Sequence, residues 1–109
     1  MAGVGTKKVF EDDKAIVWEL ELDPGEKLPQ HTHELPYLWY VIDGGVIEVF
    51  GPDGEPAGML EPKPREVFAF QIDGDELVSA DGEIRVPATH SAINRGENRY
   101  REILVELKN

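Results

Sequence analysis

No stretch of this chain repeats its apolar residues with a helical period. Instead, short β-branched and aromatic runs are cut by glycine, proline and aspartate turn signals, roughly every 8–12 residues. Segment Ala15–Leu22 alternates in its second half and ends at Asp23-Pro24-Gly25. Segment Tyr37–Asp43 is aromatic and β-branched and stops at Gly44-Gly45; 46–50 follows as its hairpin partner and runs into Gly51-Pro52-Asp53-Gly54. Residues 66–72 form another strand, closed by Asp73-Gly74-Asp75, and Asp81-Gly82 marks a further turn. Residues 90–94 end at Arg95-Gly96-Glu97-Asn98, and 99–107 close the chain with Ile103, Val105 and Leu107 on one face. Many short strands with frequent turns predict an all-β sandwich or barrel.

The chain has 109 residues, enough for one hydrophobic core, and 40% of them are hydrophobic, too many for a disordered polymer. Residues 1–8 are expected as a loose tail and 9–109 as a single domain. No apolar run approaches the ~20 residues that span a bilayer, and the first eight residues lack the apolar segment of a signal peptide. There is no cysteine, which removes disulfides and agrees with a reducing compartment. A cytoplasmic protein is therefore expected. The net charge of −11, from 22 acidic and 11 basic side chains, repels phosphate backbones and anionic lipid, so neither nucleic acid nor membrane is an expected partner. The acids fall in pairs such as Asp12-Asp13 and Asp75-Glu76; no group of them has the spacing of a calcium loop, and solubility is their expected role.

The chain has three histidines, His31, His33 and His90, and no cysteine. Side chains on a strand alternate faces, so His31 and His33 point the same way. A third imidazole from a distant strand can complete a three-point metal site, and imidazole suits zinc, iron, copper and nickel. Taken alone, a His-x-His pair reads more readily as two unrelated surface or core histidines.

The flanking residues weight the first reading. They run Gly25, five residues, His31-Thr32-His33, three residues, Tyr37, six residues, Gly44; the second set runs Val86-Pro87-Ala88-Thr89-His90, three residues, Asn94. This pattern resembles the two signature motifs of the cupin superfamily. The first matches in spacing from Gly25 to Gly44. The second is partial, because Pro87 lies only three residues before His90. In one respect the chain departs: the family's glutamate is replaced by Tyr37, or by Leu38 at the four-residue spacing, and Glu34 next to His33 points to the opposite face.

The resemblance implies a cupin-type double-stranded β-helix, a jelly-roll barrel. It implies one divalent transition metal per chain on His31, His33 and His90 with no carboxylate ligand. Iron is favoured, with zinc, nickel or manganese also suited. It implies a small-molecule ligand inside the barrel and a homodimer. Three-histidine cupins of this kind cleave carbon–carbon bonds of diketones or oxidise thiols. A mononuclear iron(II)-type dioxygenase acting on a small organic substrate is thus the leading function. A non-catalytic metal- or small-molecule-binding cupin is the alternative, and a barrel whose histidines only pack is a third.

Strand parity extends the site. His31, His33, Tyr37, Trp39 and Val41 share a face, which would line the barrel. The opposite face carries Leu38, Tyr40 and Ile42, so a second layer is expected over it, either another segment or the partner of a dimer. Tyr37 is the one candidate catalytic side chain: its phenol reads as a ligand, a hydrogen-bond donor to bound substrate, or ordinary core. Core or support around the metal ranks ahead of ligand, since a phenol titrates near pH ~10 and needs strong activation to ligate. Trp39, Phe68 and Phe70 read as pocket walls or core. Asn94 reads as a strand end, and Arg85 as half of an exposed ion pair.

Overall fold

Alternating strands become stable when two sheets close their apolar faces on each other. The computed structural model describes residues 3–108, and these contain eleven strands and no helix. They are β1 (Lys7–Glu11), β2 (Ala15–Leu22), β3 (Lys27–Thr32), β4 (Tyr37–Asp43), β5 (Ile47–Phe50), β6 (Pro56–Leu60), β7 (Val67–Asp73), β8 (Glu76–Ser79), β9 (Arg85–Pro87), β10 (Thr89–Asn94) and β11 (Tyr100–Leu107). One sheet has seven strands in the order β1-β2-β11-β4-β7-β8-β9, and the other has four in the order β3-β10-β5-β6. Every pairing is antiparallel. No helix among the described residues is long and apolar enough to cross a membrane.

The core lies between the sheets. Leu20, Leu22, Tyr37, Trp39, Val41, Phe70, Tyr100 and Leu104 face it from the larger sheet, and Leu28, Ile47, Val49 and Ala92 from the smaller. Two bulges set which residues face inward. Leu28 pairs with Ala92 and His31 with His90, so Pro29 and Gln30 together oppose Ser91. Pro29 has no N–H to lose, and a bulge is one of the few strand positions that tolerates it. On the other sheet Arg101 pairs with Asp43 and Glu102 with Val41, leaving Ile42 as the extra residue. Val41 is fully buried, so its partner Glu102 is carried inward with it.

The two glycines that bound the first motif have separate backbone reasons. Gly25 has φ +81°, which side chains rarely adopt. At Gly44 a Cβ would lie 2.5 Å from the Pro62 carbonyl oxygen, so the chain passes too close for any side chain.

Residues 1–8, expected as a loose tail, are packed down over their described part. Val4 is buried in the core cluster, Thr6 N donates to Glu19 O at 2.8 Å, and Lys7 and Lys8 pair with Glu19 and Trp18 in β1. The physical reason is the glycine on either side of Val4. A Cβ on Gly3 would lie 2.7 Å from the Trp18 ring and one on Gly5 2.7 Å from Glu19 O, so only bare backbone lies flat enough to insert Val4. Residues 1 and 2 lie outside the described residues.

Candidate metal centre and its cavity

β3, β10 and the turn that follows β3 bring the three histidines together. His31 and His90 are direct partners across the two strands. His33 lies one residue beyond β3, where its N–H donates to Ala88 O at 2.9 Å and prolongs the alternation. All three are buried, and one ring nitrogen from each lies within 4.8 Å of the others. Ring centroids are 4.7 Å apart for His31 and His90, 4.9 Å for His31 and His33, and 5.0 Å for His33 and His90.

The hydrogen bonds around the cluster fit a cation. The Nδ1 of His31 lies 2.8 Å from Pro29 O and that of His90 2.7 Å from Pro87 O. A carbonyl only accepts, so both Nδ1 atoms carry the proton, and both Nε2 lone pairs are free; this is how metal-binding imidazoles are commonly oriented. Among the described residues, the one buried side-chain polar atom without a partner is His33 Nδ1. Burial pushes the His33 imidazole down to about 2 and that of His90 down to about 4, with the neighbouring histidines adding to both; His31 is lowered as well, again by burial. Three imidazoles held neutral are three available donors. No carboxylate belongs to the cluster among the described residues, which agrees with the loss of the motif glutamate.

Tyr37 stacks on His33, with ring centroids 4.3 Å apart and planes 13° from parallel, and Phe70 stacks on its other neighbour side at 5.5 Å. Burial raises the Tyr37 phenol well above its usual range, with Glu102 and Glu106 adding to the shift, so it stays protonated. Trp39 and Phe70 line the cavity; Phe68 lies behind, stacked on Trp39 at 4.4 Å. Asn94 ends β10, and Arg85 is paired with Asp73 and Glu76 at the surface.

The histidines open into a cavity of about 80 Å³ between the sheets. Its walls are aliphatic and aromatic, including Val4, Leu28, Trp39, Phe70 and Leu104. Its polar lining comes from the three histidines, Tyr37, Tyr100 and Glu102. Sequence reasoning missed Glu102. In β11 the apolar set Ile103 and Val105 faces outward and the set Tyr100, Glu102, Leu104, Glu106 faces inward. Glu106 accepts a 2.7 Å bond from Trp18 Nε1. Glu102 accepts a 2.7 Å bond from the Tyr100 hydroxyl, and burial pushes its carboxyl up to about 7 against the opposing effect of that bond.

This shift makes stability depend on pH. A carboxyl whose folded pKa is raised contributes stability that is complete below its unfolded value, about 4.5, and lost as pH rises through about 7. Urea unfolding of the metal-free chain and of Glu102→Gln should therefore diverge. Relative to Glu102→Gln, the native chain should lose on the order of 3 kcal/mol between those pH values. Parallel stability curves would show that the carboxyl is solvated.

No family model and no curated protein matches the sequence. Solved structures do match the fold. A cupin domain from Bordetella pertussis is 14% identical with a TM-score of 0.69, over 96% of this chain and 97% of that one. An RmlC-like cupin with a double-stranded β-helix fold from Methanocaldococcus jannaschii is 15% identical with a TM-score of 0.58, over 94% of this chain and 77% of that one. The polyketide cyclase RemF from Streptomyces resistomycificus is 20% identical with a TM-score of 0.57, over 94% of this chain and 63% of that one. The chain thus has the cupin fold, a double-stranded β-helix, with a buried His31-His33-His90 cluster suited to a metal ion at its centre.

Proposed function

We propose that His31, His33 and His90 hold one divalent transition metal, iron first, and that the protein is a mononuclear iron(II)-type dioxygenase acting on a small organic substrate in the barrel. The observation that carries the metal is the cluster itself: three buried neutral imidazoles, two of them with Nδ1 fixed on the Pro29 and Pro87 carbonyls. Bound there, the metal supplies Lewis acidity and, as iron, redox chemistry at the coordination positions that three imidazoles leave open. The chain's own residues do the rest. The aliphatic walls exclude water and strengthen each polar contact inside. Tyr37 keeps its phenolic proton, so its role is to donate a hydrogen bond to the substrate and to brace the His33 ring. The cavity sets the size. A ~150 Å³ cavity holds benzene, so about 80 Å³ admits a substrate of only a few heavy atoms without movement of the walls.

Metal analysis of protein purified without added metal, followed by oxygen uptake on iron loading across small organic substrates, tests this reading. Stoichiometric metal without oxygen uptake would assign the barrel to binding instead. Tyr37→Phe should retain the metal and weaken substrate binding or turnover by the value of one hydrogen bond, ~0.5–1.5 kcal/mol. Loss of metal in that variant would make the phenol a ligand.

The outer face of the larger sheet supports a homodimer. Tyr40 and Val67 are cross-strand partners there, 43% and 60% exposed, and Leu38 and Ile103 adjoin them half-buried. No described segment of the chain covers Tyr40 or Val67, and apolar side chains exposed side by side on a sheet gain by burial against a second copy. Tyr40→Lys should convert the dimer to monomer in sedimentation at micromolar concentration. A native chain already of one-subunit mass would remove the dimer.

A further inference from the structure

The mechanism above leaves two buried ionisable groups of the cavity unused, Tyr100 and Glu102, which are hydrogen-bonded to each other. Glu102 occupies the middle of an otherwise apolar row, between its strand partners Leu20 and Val41. Its Oε1 accepts the Tyr100 hydroxyl bond; the other oxygen takes no hydrogen bond from any described residue. A buried carboxyl in that row costs stability that leucine would not, unless something beyond the protein completes its hydrogen bonding. Glu102 lines the same cavity as the three histidines, and no lysine or arginine lines it.

We propose that Glu102, with one oxygen saturated by Tyr100, is the second polar anchor of the barrel ligand and determines its charge. The ligand reaches the histidine cluster with one end and hydrogen-bonds the free oxygen of Glu102 with a hydroxyl or amide group. The end of the ligand set against Glu102 carries no negative charge, because no lysine or arginine lines the cavity to offset a negative group placed against this carboxyl. Glu102 is thus a specificity residue distinct from the three imidazoles. This inference rests on the reading that the barrel holds a ligand, but it needs no metal to be tested.

The probes are acetamide and acetate, which share one shape and differ in charge and hydrogen-bond donors. Each is titrated into the metal-free chain at about pH 8, where the carboxyl is ionised, and the backbone amides of Trp39, Glu102 and Leu104 are followed by nuclear magnetic resonance. The native chain should bind acetamide at least about tenfold more tightly than acetate. Glu102→Gln keeps an acceptor for Tyr100. It should hold acetamide within about threefold of native while acetate gains, so that the preference falls below about threefold. Glu102→Leu should lose acetamide by about tenfold; if it does not fold, the comparison of native chain with Glu102→Gln decides alone. An unchanged preference in Glu102→Gln, or no response of these amides to acetamide in the native chain, overturns the proposal. Failure of the metal reading shows separately, as absence of bound metal, and leaves the probe ratios as they are.

Discussion

His90→Ala should reduce metal binding by far more than the ~10–100-fold that follows loss of a group merely orienting a ligand. The reason is geometric. His90 faces His31 directly across the β3–β10 pairing, and the cluster has no fourth protein donor among the described residues to take its place. Two imidazoles then hold a cation that was shared among three. Alanine at position 90 also leaves the Pro87 carbonyl without its 2.7 Å partner, a smaller effect that the fold can absorb because the neighbouring pairs Thr89 with Thr32 and Ala92 with Leu28 persist. The β-rich circular dichroism spectrum should therefore be unchanged while equilibrium dialysis shows the metal lost. His31→Ala and His33→Ala should behave alike. Undiminished metal in any one of them would mean that the three do not share an ion.

What the sequence disclosed follows from how far each signal depends on neighbours. The His31-Thr32-His33 spacing needs only strand alternation to place both rings on one side, and Tyr37, Trp39 and Val41 continue that side through β4. Strands β2 and β4 begin and end where turn residues put them. Strands β6 and β9 were not legible: β6 contains Pro56 and Gly58, and β9 has three residues, so neither carries an alternation long enough to read. Glu102 shows a deeper difficulty. Parity separates Ile103 and Val105 from Tyr100, Glu102 and Leu104, but parity alone does not say which set faces the core. That is decided by the bulge at Ile42 and by pairing with the buried Val41, which are properties of two strands and not of one. A set containing two glutamates looks like a solvated face; its aromatic and leucine members, Tyr100 and Leu104, were the contrary signal. The packed strap at Val4 escaped for a similar reason, since Gly3 and Gly5 read as flexibility until the Trp18 ring and the Glu19 carbonyl are seen against them.

Asn94→Ala should be the most destabilising single polar truncation, about 3–5 kcal/mol in urea unfolding. The side chain is fully buried and satisfied at both ends: its Nδ2 donates to Leu22 O at 2.9 Å and to Asn98 O at 2.8 Å, and its Oδ1 accepts from Gly96 N at 2.9 Å. Each bond is worth only ~1 kcal/mol net, but removing one partner strands the other, and a stranded buried group costs ~1–3 kcal/mol. Alanine strands two carbonyls and one N–H together. It also releases three segments that meet nowhere else in this way: the end of β2, the end of β10 and the 95–99 turn. The main chain of Asn94 is tied there as well, accepting from Gly25 N at 2.8 Å and donating to Glu26 O at 3.1 Å. Asparagine at this place thus fastens the far end of the strand that carries His90, which gives the second motif's last residue a role in the fold. Asn94→Asp separates the two contributions. It keeps shape and the bond from Gly96 but turns a donor into an acceptor facing two carbonyls, so it should destabilise at least as much as alanine despite leaving no space. A loss below about 1 kcal/mol in either variant would mean that water replaces the side chain. In that case β10 would owe its position to backbone pairing alone.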